Sequence, residues 1–167
     1  MIEGLRRAGR LLLRLPQALV GVAALAWMAL LWRLSEMPLG EGEPSFLWSW
    51  TANLAHAPLF GLLGLLFAAL LLRGGPPGAW PRADGAAGGM VLVLVGLYGA
   101  ADEIHQSRVP GRDGTAADLV TDLAGAVSVL WIIAYLGHPA AAAGGLRRRL
   151  LLGVVFCAAS ALLVTLC

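Results

Sequence analysis

The residues that could do chemistry are concentrated in one stretch, Tyr98 to Gly125, with the sequence YGAADEIHQSRVPGRDGTAADLVTDLAG. It begins at the end of one apolar run and enters the next. Ionisable groups near lipid are energetically costly and usually have a function. Carboxylates and imidazoles can transfer protons, and guanidinium groups can bind phosphate. With one histidine from an earlier run, the candidates are His56, Asp102, Glu103, His105, Gln106, Asp118 and Asp122 as a catalytic group, and Arg108 and Arg112 as substrate-binding residues.

Helical spacing groups most of these residues into two faces. Asp102, His105 and Gln106 stand at positions i, i+3 and i+4, so they share one face of a helix. Asp118 and Asp122 stand at i and i+4, so they share a face of the following helix. Because a short turn joins the two helices, we expect them to be antiparallel neighbours whose polar faces point at one another.

Several candidates also have a purely structural interpretation. Asp118 suits the first turn of its helix, where a carboxylate interacts favourably with the helix dipole, with Thr115 as the N-cap. Glu103 lies about 100° around the helix from the preceding aspartate and is interpreted as a solvated neighbour. Arg108 fits an ordinary loop charge, whereas ion pairing and substrate binding are equally open for Arg112.

A metal site is a further interpretation of the same residues. Asp102-x-x-His105, with Asp118, Asp122 and His56, could supply a mixed nitrogen and oxygen ligand shell. Their spacing does not require a metal, so no metal ligand is assigned and the cofactor is left unknown. The sequence contains no GxSxG, Walker loop, HExxH or CxxC, so the common hydrolase, nucleotide-binding and structural-zinc motifs are absent.

The composition identifies the surroundings of these groups. Of the 167 residues, 59% are hydrophobic and 13% are charged, and the mean hydropathy is +0.78. Soluble domains have roughly one quarter charged residues, so these values indicate an integral membrane protein. The apolar runs are rich in glycine and alanine and lack strand-like alternation. They therefore predict an all-α polytopic transmembrane bundle that packs through small residues.

The apolar runs, each about long enough to cross a bilayer, predict about five spans. By residue number these spans are 16–34, 53–72, 86–106, 115–136 and 150–167. Between the first two spans, we expect residues 35–50 to form a loop with tryptophans at the membrane interface. His56 then lies one turn from the start of the second span.

This pattern divides the chain into four parts: a basic cytoplasmic N-terminus at 1–15, a four-span core at 16–136, a basic cytoplasmic loop at 137–149 and a fifth span at 150–167. Nine arginines lie on the N-terminal side of the predicted bundle and three on the other side. The positive-inside rule then places the N-terminus in the cytoplasm. The candidate residues all reach the opposite, extracytoplasmic side of the cell membrane.

The stretch 98–125 resembles the pattern of the VanZ-like family of small membrane proteins. That pattern has an aromatic residue with glycine, then Asp-Glu-x-x-Gln, a Pro-Gly-Arg turn, and an Asp followed four positions later by Asn and a glycine. LSEMP at 34–38 and NLAH at 53–56 are similar to further family features. The resemblance covers about residues 20–136, and the fifth span lies outside it.

The resemblance implies a four-span core in the cell envelope, and the family's founding member is associated with low-level teicoplanin resistance. It carries the family's polar signature onto His56, Asp102, Glu103, Gln106, Arg112 and Asp118. Two positions differ from the family pattern. Asp122 stands where Asn is usual, which adds a negative charge, and Asn53 stands where Lys is common, which removes a positive one.

Two hypotheses about function follow. In the first, the protein binds or acts on a phosphate-bearing lipid or a lipid-linked cell-wall precursor at the outer leaflet, with Arg112 holding the anion and a histidine exchanging a proton. In the second, the polar cluster is a structural ion-pair clasp, and the protein modulates another envelope component without catalysis. Membrane lipids are the expected partners and nucleic acid is not. A proton or ion path is disfavoured because the inner halves of the spans are apolar.

Overall fold

The computed structural model describes residues 1–37, 45–73, 80, 83, 85–110 and 116–166. Within these ranges the chain forms six α-helices: α1 (Ile2–Arg14), α2 (Gln17–Ser35), α3 (Phe46–Leu71), α4 (Gly85–Gln106), α5 (Asp118–Gly137) and α6 (Ala143–Leu166). The helices α2 to α6 are each long and apolar enough to cross a membrane. The predicted all-α bundle with about five spans is confirmed.

Helix α3 begins well before the predicted second span. Its 26 residues span about 39 Å, more than the roughly 30 Å of a bilayer's hydrocarbon core. Ser45 caps it by accepting a hydrogen bond from the backbone N–H of Trp48 (3.3 Å). The predicted loop is therefore wrong over residues 46–50, and His56 lies ten residues into the helix rather than one turn from its start.

Contacts with α6 explain why these first turns of α3 are helical. The indole of Trp50 donates to the backbone carbonyl of Ala158 at 3.2 Å, and the amide of Asn53 donates to the hydroxyl of Thr165 at 3.0 Å. These tertiary hydrogen bonds are not visible in the hydropathy pattern. The fifth span therefore supports the polar end of α3.

The helices α3 and α5 form the most extensive helix pair, and their close approach depends on small residues. A Cβ added at Gly61 would lie 3.2 Å from Cγ2 of Val129, and one added at Gly64 would lie 3.2 Å from Cβ of Ala126. At Gly125 an added Cβ would overlap the backbone of Ala57. These glycines hold the two helices side by side, running in the same direction.

The remaining helices surround this pair. Helix α4 runs the opposite way and packs against both α3 and α5, α2 covers α3, and α6 packs against α5 and α3. Side chains from α2 to α5 fill the core, including Leu31, Phe60, Val91, Val95 and Ala126. We call the end of the bundle where α3 and α5 begin and α4 ends the site end.

The amphipathic helix α1 lies at the opposite end. Arg6 donates to the backbone carbonyls of Leu136 (2.9 Å) and His138 (2.7 Å), which ties α1 to the end of α5. Arg73 donates to the carbonyls of Leu13 (3.1 Å) and Leu15 (2.8 Å), which ties it to the end of α3. The predicted basic N-terminus is thus a docked helix. Helix α6 begins seven residues before the predicted fifth span, so three arginines of the predicted loop lie in its first turns.

Candidate functional site

One ionisable side chain from each of three helices meets at the site end. His56 from α3, Glu103 from α4 and Asp122 from α5 each place one nitrogen or oxygen atom within 4.8 Å of the others. We call these three residues the three-helix cluster. The imidazole of His56 donates from Nδ1 to Oδ1 of Asp122 at 2.9 Å, which directly joins α3 to α5.

The two carboxylates of this cluster are buried and incompletely hydrogen-bonded. Asp122 is 0% exposed and Glu103 is 6% exposed. Neither carboxylate oxygen of Glu103 has a hydrogen-bond partner among the described residues, and the same holds for Oδ2 of Asp122. The interpretation of Glu103 as a solvated neighbour is therefore wrong.

The burial of Glu103 follows from the width of the buried face of α4. Gly99, Asp102, Glu103 and Gln106 are all buried, which is the i, i+3, i+4, i+7 pattern of a broad helix face. Two consecutive carboxylates can both lie on such a face, one towards each edge. The spacing argument placed only the first of them there.

Asp102 and Gln106 form a second polar pair on α4. The amide of Gln106 donates to Oδ2 of Asp102 at 2.9 Å, and both side chains are buried. The other oxygen of Asp102, Oδ1, has no hydrogen-bond partner among the described residues. The predicted shared face of these two residues is confirmed.

His105 contacts α2 instead of the three-helix cluster. Its ring stacks on Trp32, with centroids 3.8 Å apart and planes 18° apart. Its Nε2 lies 3.6 Å from Oε1 of Glu36. Of the two candidate histidines, His56 is therefore the one that the fold brings together with Asp122.

The remaining candidates lie around the turn between α4 and α5. Asp118 is the first residue of α5 and is buried one turn before Asp122, in the predicted first-turn position. The residue immediately before the helix is Ala117, and its side chain makes no cap. Arg108 follows α4 and is exposed. Arg112 and Thr115 lie outside the described residues.

A cleft of about 550 Å³ opens beside the three-helix cluster, between α2, α3 and α4. Most of its lining is apolar and includes Leu31 and Leu59, together with Trp48. Its ionisable and amide side chains are His56, Asp102 and Gln106. His56 thus belongs both to the cleft wall and to the buried cluster.

Two residues that spacing did not identify shape this site. The ring of Phe60, one helical turn after His56, lies parallel to the imidazole, with centroids 6.0 Å apart. Gly99 leaves room for a carboxylate, because an added Cβ would lie 2.8 Å from Oδ2 of Asp122. Phe60 stands four residues after His56, and Gly99 stands four residues before Glu103. This i, i+4 spacing from a candidate is the signal by which the sequence could have identified them.

We expect Gly99→Ala to lower the free energy of unfolding by about 1 to 3 kcal/mol, the usual cost of overpacking. The new methyl group would press on Oδ2 of Asp122 and on Cδ1 of Leu119, both 2.8 Å away. Gly96→Ala, one turn earlier, is the matched control because its Cβ would lie 3.6 Å from Cδ2 of Leu123. Thermal unfolding in detergent measures both variants, and equal melting temperatures would show that the carboxylate is not confined by Gly99.

Comparisons with protein-family models, with curated proteins and with solved structures found no match to this chain. The resemblance to the VanZ-like family stays a prediction from the sequence.

Proposed function

We propose that the protein binds the phosphate-bearing headgroup of a membrane lipid, or of a lipid-linked cell-wall precursor, in the cleft at the site end. The observation that carries the proposal is the composition of the cleft wall. Apolar side chains of α2 and α3 line most of it, and His56, Asp102 and Gln106 supply ionisable and amide groups to the same cleft. Such a wall matches an amphiphile, with acyl or prenyl chains against the apolar part and the headgroup against the polar part.

The size of the cleft agrees with this class of ligand. Sites for small molecules usually measure about 300 to 1,000 Å³, and the cleft has about 550 Å³. That volume exceeds a bare phosphate and accommodates a headgroup with the first part of its chains. The distribution of the arginines supports an extracytoplasmic site end, so the ligand would come from the outer leaflet.

The proposal assigns separate roles to the charged residues. Arg112, with Arg108, would bind the phosphate through charge-assisted hydrogen bonds. His56 would exchange a proton with a headgroup in the cleft, since it lines the cleft while Asp122 fixes its ring orientation. The VanZ-like resemblance supports a cell-envelope role and a link to teicoplanin resistance.

Blocking the cleft tests the proposal. Ala55 is an exposed residue of the cleft wall, and we expect Ala55→Trp to weaken binding of phosphatidic acid by at least about tenfold, or 1.4 kcal/mol. The measurement is native mass spectrometry of the detergent-purified protein titrated with phosphatidic acid. Ala101→Trp is the matched control, because Ala101 is exposed on α4 but is not among the cleft-lining residues.

Two further arms of the titration identify what is recognised. Diacylglycerol with the same acyl chains lacks the phosphate, and we expect it to bind more weakly than phosphatidic acid to the wild type. Arg112→Ala is expected to remove this preference, because a hydrogen bond to a charged group contributes about 1.5 to 3 kcal/mol. Equal binding of the two lipids by the wild type, or unchanged binding by Ala55→Trp, would refute the proposal.

A second candidate function is favoured by the hydrogen bond between His56 and Asp122. It is largely buried and joins two helices, as expected of a structural clasp in a protein that modulates another envelope component. The contact joins α3 and α5, which are the second and fourth of the five candidate spans. Stability measurements on the pair separate the two functions.

A further inference from the structure

We propose that His56, Glu103 and Asp122 bind one divalent metal ion, with Zn²⁺ as the best fit. This inference goes beyond lipid recognition, because it concerns the buried three-helix cluster and not the apolar wall of the cleft. Each ligand comes from a different helix, so no spacing along the sequence could display the set. Glu103, a candidate that helical spacing did not group with either polar face, is the ligand that completes it.

The distances are close to those of a metal site. Ligand atoms bound to zinc at about 2.1 Å in a tetrahedral arrangement lie about 3.4 Å from one another. The three ligand atoms here lie within 4.8 Å of one another. The two hydrogen-bonded atoms, Nδ1 of His56 and Oδ1 of Asp122, are 2.9 Å apart. Binding through Nδ1 therefore requires this nitrogen to release its proton, the pair to open by about 0.5 Å and Glu103 to close by at most about 1.4 Å, and side-chain rotation can supply these movements.

The unpartnered oxygens point to a cation as the missing ligand. Both oxygens of Glu103 and Oδ2 of Asp122 are buried and lack a hydrogen-bond donor in the described part of the chain. No arginine of the described ranges forms an ion pair with either carboxylate. Because burying an ionised carboxylate without a partner costs several kcal/mol, a bound cation would stabilise both carboxylates in their ionised form.

The donor types select the metal. One imidazole and two carboxylates form a mixed nitrogen and oxygen set, which suits zinc, whereas an all-oxygen set would favour magnesium or calcium. Manganese also accepts carboxylate ligands but stands below zinc in the general order of affinity. Three protein ligands leave a fourth zinc position open, as in catalytic sites and unlike closed structural sites. A metal there would also lower the negative potential that an approaching phosphate meets.

Metal titration of the purified protein tests the inference. We expect isothermal titration of the chelator-treated, untagged full chain with Zn²⁺ in detergent to show one ion per chain, with Mn²⁺ binding more weakly. Loss of an outer-sphere partner alone costs about 10 to 100-fold in affinity, so Glu103→Gln is expected to weaken zinc binding by about 100-fold or more. His105→Gln is the matched control, because its imidazole is on the same helix but outside the cluster, and its affinity should equal that of the wild type.

Zinc K-edge absorption of the loaded wild type identifies the ligands without relying on a variant that must fold. We expect nitrogen and oxygen neighbours at about 2.0 to 2.2 Å and no sulfur, which excludes Cys157. A sulfur ligand, the absence of stoichiometric binding, or unchanged affinity in Glu103→Gln would overturn the inference.

Lipid titrations with and without Zn²⁺ separate the two proposals. Lipid binding without metal binding refutes the metal site alone, and metal binding without lipid binding refutes the proposed function alone.

Discussion

Gly125→Ala is expected to destabilise the bundle by about 3 kcal/mol, the upper end of the cost of overpacking a core. A Cβ at this position would overlap the carbonyl oxygen of Ala57 and lie 2.7 Å from its carbonyl carbon. These are backbone atoms and cannot rotate away, so α3 and α5 would have to move apart. This is the top of the range expected for Gly99→Ala, where the obstacles are side chains.

The measurement is the free energy of unfolding in mixed detergent micelles, followed by circular dichroism. Gly21→Ala in α2 is the matched control, because its Cβ would meet only Cδ1 of Leu70, at 3.9 Å, among the described atoms. Alanine is the better helix former by about 1 kcal/mol, so we expect this control to be neutral or stabilising. Equal stability of the two variants would contradict the close approach of α3 and α5.

This close approach also positions the polar residues. Ala57 directly follows His56, and Gly125 lies one helical turn after Asp122, so the tightest point of the helix pair adjoins the hydrogen bond between the two side chains. Separating the backbones there would lengthen the 2.9 Å contact between Nδ1 and Oδ1. The small residues therefore contribute to the geometry of the site as well as to packing.

The number and approximate position of the spans could be predicted from the sequence because both depend on local properties. Every apolar run of about 20 residues must form a helix in lipid, where backbone groups have no other partners. The same reasoning brings the polar residues of three spans to one end of the bundle. It also identifies Asp102 with Gln106 as a pair, since they are one turn apart on a single helix.

The start of α3 could not be predicted in this way. The residues before Asn53 include tryptophans and polar groups, so their hydropathy resembles that of an interfacial loop. Their helical state depends on Trp50 and Asn53 bonding to α6, more than 100 residues later in the chain. A window of local sequence contains no information about such a contact.

The sequence also could not show which of the candidate residues come together in the three-helix cluster. Asp102 and Glu103 are adjacent, and which of them faces α3 and α5 depends on the rotation of α4 about its axis. Packing sets that rotation, because Gly99 lets α4 approach Asp122 closely. As a result Glu103 joins His56 and Asp122, while His105 packs on Trp32.

The second large effect is expected at the pair of His56 and Asp122, and it is asymmetric. His56→Phe leaves a carboxylate that is 0% exposed without its hydrogen-bond donor, so we expect a loss of about 3 to 5 kcal/mol. Asp122→Leu leaves a histidine whose side chain is 17% exposed and can become neutral, so its cost is smaller. Replacing both residues removes the buried charge, and such replacements are often neutral or stabilising.

The double variant therefore distinguishes a binding site from a clasp. If the pair is kept for ligand binding, His56→Phe with Asp122→Leu should unfold close to the wild type while losing zinc binding. If the pair is a structural clasp, the double variant should recover only part of the loss and stay below the wild type by the net contribution of a hydrogen bond to a charged group, about 1.5 to 3 kcal/mol. The control is His105→Phe, which can keep the stacking on Trp32 and loses only a contact with the partly exposed Glu36, worth about 1 kcal/mol or less. If His105→Phe lowers the free energy of unfolding as much as His56→Phe does, the burial of Asp122 is not the cause of the loss.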